Sequence, residues 1–435
     1  MMQEKLTVQK EWSLGRKIRT LLGVYFLFLF FDFTSSDELF PHFVYTLLTP
    51  YTNFWHLLVP WTGEHILQLP YPITVRPNGS GDTTYNYVLQ LLWIVFTLLI
   101  VAIWALLDRK RPSYHQLYYW SRIVVRYFLA YMLFVYGFVK VIKLQFPEPS
   151  LYRLIEPFGE SSPMGLAWTF IGYSKGYNIF IGGAEVFAGL LLFFKRTTLF
   201  GALVAMTVMA NVVAMNVAYD IPVKLFSLNL FFLALWIAWY DKDRLVSFFF
   251  LNRNVALAAI EYPYRTKWKK IVQLSLKTVA ILFALYSTLW SNFILSKQYG
   301  DAAPKPQLYG IYDVEIFSKN GQAIPPLTTD SVRWKRMVIN SPGRVGLFTM
   351  TNHLTMMNLK IDSIHKIMIF TFPQDSTLQF MLNYVKKGIY LDLSGAISKD
   401  SVLISLKRFK HENLPLNKTG FHWINEYSTI DSWAY

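Results

Sequence analysis

The sequence predicts a membrane all-α helical bundle of about seven spans, followed by a C-terminal antiparallel β barrel or sandwich domain. Three observations carry that expectation. Of the 435 residues 53% are hydrophobic and only 16% charged, a composition too apolar for an ordinary soluble domain. Lysine and arginine gather at alternate connections between the apolar blocks. Near residue 305 the pattern changes from long apolar blocks to short alternating runs.

Seven blocks approach or reach the length needed to cross hydrocarbon as a helix: 19–34, 87–107, 120–142, 177–194, 198–219, 222–240 and 271–293. The first is the shortest and runs into Asp32. Basic residues then orient the set. One group of connections holds Lys5, Lys10, Arg16, Lys17, Arg19, Arg109-Lys110-Arg111, Lys195-Arg196 and seven more between Asp241 and Lys270; the other holds far fewer, among them Arg76, Arg153 and Lys175. Positive charge favours the cytoplasmic side. The expected topology therefore puts the N-terminus inside and everything after about 294 outside, in the periplasm of a bacterium whose inner membrane holds the chain. The net charge of +15 is on this reading a topology signal, and no nucleic-acid partner is expected.

Residues 35–86 form a long outer connection containing Phe40-Pro-His-Phe and Phe54-Trp-His-Leu-Leu-Val-Pro-Trp61. Aromatics with Pro41, Pro50 and Pro60 suit interfacial helices, and a re-entrant hairpin is the alternative. Beyond 305, eight runs read as strands: 308–317, 333–340, 344–350, 354–361, 365–372, 377–384, 388–393 and 401–409. Turn residues such as Lys319-Asn-Gly and Ser341-Pro-Gly separate them. Consecutive strands without helices imply an antiparallel meander, closed or sandwiched. Gly310-Ile-Tyr312 and Arg408 resemble the Gly-x-Trp opening and last-strand arginine of lipocalins, with Tyr in place of Trp. Four regions follow: 1–118 with two spans and the outer connection, 119–245 with four, 246–304 with the last, and the β domain 305–435.

The chemistry of interest is polar. Glu185 sits in the apolar stretch Ile181-Gly-Gly-Ala-Glu-Val-Phe-Ala-Gly-Leu, where an ionised group is costly unless it faces protein or a partner. Gly182 and Gly189, at i−3 and i+4, put a smooth stripe on its face and permit close approach of another helix. Lys140 lies near the outer end of the preceding span, on a face shared with Arg126, Ala130, Leu133 and Gly137. Asn211 and Asn229 fall at a similar depth on the next two spans, and Asn216, Asp220 and Lys224 extend the belt outward. The seven residues are candidates for binding a small molecule, a proton or a lipid headgroup. A purely structural reading stands beside that one, with Lys140 snorkelling and the asparagines bridging helices.

Residues 120–245 resemble the DoxX-like membrane proteins through Tyr136-Gly-Phe-Val-Lys140, Gly182-Gly-Ala-Glu185 and Gly189-Leu-Leu-Leu. The whole layout, ending in Gly420-Phe-His-Trp-Ile-Asn-Glu426, resembles DoxX-related proteins of Bacteroidetes. The resemblance implies a four-helix module and, in some relatives, a subunit of a quinone-linked oxidoreductase. Quinone or lipid is thus the expected ligand, with no cofactor certain. The alternative is a non-enzymatic anchor docking an envelope protein partner through 305–435.

Other chemistries find little footing. Without cysteine there are no disulfides, thiolate nucleophiles or cysteine-held iron–sulfur clusters. None of the eight histidines falls in a predicted span, which excludes bis-histidine haem there. His56, Glu64 and His65 lack tight ligand spacing, so no metal is expected. Gly159-Glu-Ser-Ser-Pro163 has proline where a nucleophile elbow needs glycine. Asn78-Gly-Ser80 and Asn417-Lys-Thr419 match the glycosylation pattern, a motif frequent by chance. No cleavable signal peptide is expected.

Overall fold

The computed structural model describes residues 11–36, 42–75, 80–255, 266–375 and 377–424. Lys5, Lys10, Phe40-Pro41, Arg76, Asn78 and the terminal Asn425-Glu426 lie outside the described residues. The chain divides into two compact units, Met1–Phe146 with Ser162–Asp301, and Pro147–Ser161 with Ala302–Tyr435.

The helices are α1 Leu14–Leu21, α2 Tyr25–Ser36, α3 His42–His65, α4 Thr84–Leu107, α5 His115–Val141, α6 Leu151–Ile155, α7 Pro163–Tyr173, α8 Lys175–Leu192, α9 Thr198–Ala218, α10 Lys224–Trp239, α11 Lys242–Phe249, α12 Lys267–Ser296 and the short α13 Pro415–Lys418. Among the described residues, α4, α5, α9 and the Lys270–Ser296 part of α12 are long and apolar enough to cross a membrane. α8 and α10 occupy two further predicted blocks but are shorter, at 18 and 16 residues. The first block is broken, with a 3-10 turn at Leu22–Val24 separating α1 from α2.

Local chemistry sets several boundaries. Thr83 caps α4, its hydroxyl accepting from the Asn86 amide while the Asn86 side chain accepts from the Thr83 amide. Asp82 reaches across to α10, where its carboxylate accepts from the amides of Lys224 at 2.8 Å and Leu225 at 3.0 Å. A negative charge there satisfies orphan donors and complements the helix dipole. The helical core is continuous from Phe26 and Leu29 of α2 through Trp55, Trp93 and Leu129 to Leu233 and Ile237 of α10.

The region left open between interfacial helices and a re-entrant hairpin is a single 24-residue helix, α3, carrying Pro50 and Pro60 within it. Trp55 and Val59 are buried. Tyr51 donates to the Phe28 carbonyl of α2, and the Trp55 ring meets Phe96 of α4 edge-on. These contacts make α3 a packed member of the bundle.

In the second unit every predicted strand forms: β1 Gly310–Lys319, β3 Trp334–Ile339, β4 Arg344–Thr349, β5 Leu354–Asp362, β6 Ile367–Thr371, β7 Gln379–Lys387, β8 Tyr390–Ile397 and β9 Asp400–Phe409, with the two-residue β2 Gln322–Ala323 hairpinned onto β1. β1 pairs antiparallel with β3, each strand from β3 onward pairs antiparallel with the next, and β9 pairs back onto β1. The domain is therefore a closed eight-stranded up-and-down barrel, not a sandwich. Closure removes sheet edges and buries one face of every strand. That inner face is filled by Tyr312, Trp334, Met337, Met357, Phe370, Leu391 and their neighbours. Arg333, also buried, donates to the Ile324 carbonyl at 3.0 Å and the Trp334 carbonyl at 3.2 Å. The lipocalin-like residues are brought together, since Tyr312 is in register with Arg408 and a Cβ on Gly310 would lie 3.4 Å from both side chains.

The barrel unit also claims a segment distant in sequence. Leu151 of α6 is fully buried in a small outer cluster with Ile311 and Val338. The Leu151 amide donates to Asn340 at 2.9 Å and the Tyr152 hydroxyl to the Val338 carbonyl at 3.1 Å. Gly346 makes room, as a Cβ there would lie 2.6 Å from the Tyr152 ring. Residues 147–161, assigned by sequence to the four-helix region, pack with the barrel instead.

Candidate functional site

Small residues bring α5 and α8 together. A Cβ on Gly182 would lie 2.6 Å from the Gly137 carbonyl and 2.8 Å from Lys140 Cβ; one on Gly189 would lie 3.0 Å from the Ala130 carbonyl. The backbones pass too closely to admit side chains, as the glycine stripe predicts. That approach seats Lys140 opposite Glu185. Lys140 Nζ donates to Glu185 Oε2 at 2.9 Å and to the Tyr136 carbonyl at 3.0 Å, and the two side chains are only 6% and 2% exposed. Two charges so buried are retained only with compensating partners. The Tyr136 ring supplies another, its centre 5.6 Å from the ammonium.

The pair lines a cavity of about 70 Å³, with Gln145, Asn216 and Ser227 as its other polar side chains. A volume of that order holds a few water molecules or one small polar group. Met132, Met209 and Met215, the aromatics Phe146, Trp168 and Phe226, and aliphatic side chains such as Val212 and Leu230 make much of the rest of the wall. Asn216 donates to Ser227 Oγ at 3.0 Å, which in turn donates to the Lys224 carbonyl. Asn178 at the start of α8 donates to the Phe146 carbonyl at 2.9 Å and holds that residue beside Trp168. Among the described residues the buried side-chain carbonyl of Gln145 finds no hydrogen-bond partner. An unmet acceptor in such a wall is costly unless a donor, water included, meets it.

Of the predicted belt, Lys140, Glu185 and Asn216 meet at this cavity, and four residues do not. Asn211 is exposed. α9 turns Met209, Val212, Met215 and Asn216 to the cavity, and at about 100° per residue Asn211 points roughly 110° away from the middle of that face. Asn229 is buried but faces the N-terminal helices, accepting from Tyr25 at 2.7 Å and donating to Gln90 at 2.9 Å. Asp220 and Lys224 pair with each other at 2.8 Å at the helix ends, where Asp220 is 85% exposed. Depth along a helix was legible in sequence, whereas rotation about its axis was not. Gln145, Ser227, Trp168 and Asn178 escaped sequence reasoning, and Tyr136 entered it only as part of the motif ending in Lys140. Ser227, two residues from Asn229, could have been found from the apolar spacing of α10.

The chain resembles a bacterial protein. It is 37% identical over 127 residues to the uncharacterized protein YwoB of Bacillus subtilis (strain 168), a match covering 28% of this chain and 79% of the relative. This chain belongs to the YwoB family. No family model matches, and no solved structure does. The YwoB match names no activity, so the chemistry rests on the cavity. Among the described residues no group of three or more His, Asp or Glu side chains could hold a metal ion; His56 instead packs edge-on to Tyr85, and His65 stacks on Trp61.

Proposed function

We propose that the cavity at Lys140 and Glu185 binds the polar head of a small amphiphile, a quinone or a lipid, within a membrane-spanning bundle. The observation that supports this reading above any other is a buried ion pair lining a cavity that also contains an acceptor, Gln145, unpartnered among the described residues. Intramembrane ionisable groups are expensive and accordingly functional by default. Lys140 donates, Glu185 accepts and Asn216 with Ser227 orients. The methionine and aromatic wall suits an apolar ring or chain. At about 70 Å³ the cavity takes a headgroup, and the remainder of the molecule lies along the helices. For a quinone, the ammonium of Lys140 would hold a ring oxygen and Glu185 would hold a proton.

The bilayer placement belongs to the same proposal. Seven spans, an inner bacterial membrane, a cytoplasmic N-terminus and a periplasmic barrel follow from the apolar blocks and the distribution of Lys and Arg. So does the DoxX-like module, carried by Lys140 and Gly182-Gly-Ala-Glu185. The test is lipid extraction and mass spectrometry of the protein purified in mild detergent. Wild type should retain a stoichiometric amphiphile and Glu185→Gln should lose it while remaining folded; equal retention by both refutes the site.

A second reading has its own support. The barrel interior is filled by side chains, unlike barrels that carry a ligand, and this favours docking as the role of that domain. In that reading the chain anchors an envelope protein through 305–435. A co-purifying partner lost on deletion of 305–435, with activity indifferent to Glu185→Gln, would select it.

A further inference from the structure

At the other end of α5 lies a cluster of cations that the cavity does not use. Arg126 is 6% exposed, yet among the described residues its Nε finds no hydrogen-bond partner. Its Nη1 donates to Thr198 Oγ1 at 3.1 Å, just beyond the α8–α9 turn. In that turn Lys195 Nζ donates to the Tyr119 hydroxyl at 3.4 Å. Lys277 of α12 sits 4.3 Å from the centre of the Phe194 ring in the same turn. Among the described residues neither Arg126 nor Lys277 takes part in any of the ion pairs found. The nearby Asp241 is engaged with Arg122 at 3.3 Å and Arg244 at 2.6 Å. Burial, and then the charges of Arg126 and Lys277, hold the Lys195 ammonium below its ordinary value. Like charges gathered on three separate elements repel one another, and an anion is the group that would relieve them.

We infer that Arg126, Lys195 and Lys277, with the Thr198 hydroxyl, form a site for the phosphate of an anionic lipid headgroup. This goes beyond the amphiphile cavity and shares with it only the bilayer placement. The depth is right for a headgroup. Arg126 and Lys277 each lie six residues inside the predicted starts of their spans at 120 and 271, or about 9 Å at 1.5 Å per residue. Both starts are at the end carrying Lys195-Arg196, the end assigned to the cytoplasm. Basic pockets between helices at that side are where anionic headgroups bind. The buried guanidinium offers a rigid planar donor fork, and the two ammonium groups add mobile charge. Tyr119 and Tyr127 flank the site, with the Tyr127 ring centre 5.1 Å from the Arg126 guanidinium. Aromatic side chains at this level are usual membrane-interface anchors.

The test uses the full chain in neutral detergent, with native mass spectrometry and thermal denaturation in added phosphatidylglycerol, phosphatidylcholine or inorganic phosphate. Wild type should bind and be stabilised by phosphatidylglycerol but not by phosphatidylcholine. Lys277→Gln, a half-buried position whose change leaves the core intact, should weaken phosphatidylglycerol binding roughly fivefold, and Lys195→Gln with Lys277→Gln about 25-fold. Arg126→Gln should abolish the preference if it folds, and the lysine variants carry the test if it does not. Glu185→Gln should leave this binding unchanged, which separates the site from the cavity. Equal binding of the two lipids, wild-type affinity in the double lysine variant, or full stabilisation by inorganic phosphate alone would each overturn the inference.

Discussion

Adjacent glycines on α8 offer a controlled perturbation of the site. A methyl group at Gly182 would meet the Gly137 carbonyl at 2.6 Å, Lys140 Cβ at 2.8 Å and the Val141 amide at 2.9 Å, whereas one at Gly183 would meet nothing within 4 Å. A close carbon–oxygen contact sits at about 3.3 Å. Gly182→Ala therefore requires α5 and α8 to separate locally by roughly 0.7 Å, and the nearest obstacle is backbone, which cannot rotate away. Forcing one carbon into such packing costs about 1–3 kcal/mol. Alanine also gains about 1 kcal/mol of helix propensity over glycine, but that gain is common to both substitutions in one helix and cancels between them. The expected result is that Gly182→Ala is less stable than Gly183→Ala by about 1–3 kcal/mol, measured by reversible denaturation in mixed micelles. Because the clash falls on Lys140, Gly182→Ala should also weaken ligand retention and Gly183→Ala should not. Equal stability and equal retention would refute the account of the helix contact and of how it seats the ion pair.

Further outcomes follow from the same geometry. Glu185→Ala leaves Lys140 buried without its carboxylate and should cost about 3–5 kcal/mol, while Lys140→Met with Glu185→Leu should recover most of that loss; equal instability of the single and double variants in denaturant titration would contradict this. Leu151→Ala should destabilise the barrel unit by about 2–5 kcal/mol, because Leu151 is fully enclosed against Ile311 and Val338; hydrogen exchange of β3 and β4 in the full chain would report it, and unchanged protection would deny 147–161 a structural role. Hydrogen bonds from the His365 amide and ring, with the Ile364 amide, lower the Asp362 carboxyl to about 2. A depressed carboxylate contributes stability above its unfolded value near 3.9 and loses it as pH falls toward the folded value. Asp362→Asn should therefore reduce the acid sensitivity of the β5–β6 turn between about pH 4 and 2, read by exchange across 354–371, and an unaltered pH profile would refute the assignment.

What could be read from sequence was whatever depends on neighbours along the chain. Apolar blocks announced helices, two-residue alternation announced the strands, and the i−3 and i+4 glycines around Glu185 announced a close helix partner, since each pattern is a local periodicity. The pairing of Lys140 with Glu185 was legible for the same reason, each lying on a face whose small residues marked it. Chain closure and helix rotation were decided by the tertiary structure. Asn211 and Asn216 share one helix, yet only Asn216 reaches the cavity, because the packing of α9 against its neighbours sets the angle that apolar composition on all sides leaves free. Asn229 found Gln90 and Tyr25, residues remote in sequence. Residues 147–161 joined a barrel whose strands begin 149 residues after Ser161. In each case the deciding partner comes from a distant part of the chain, and a local pattern carries no record of it.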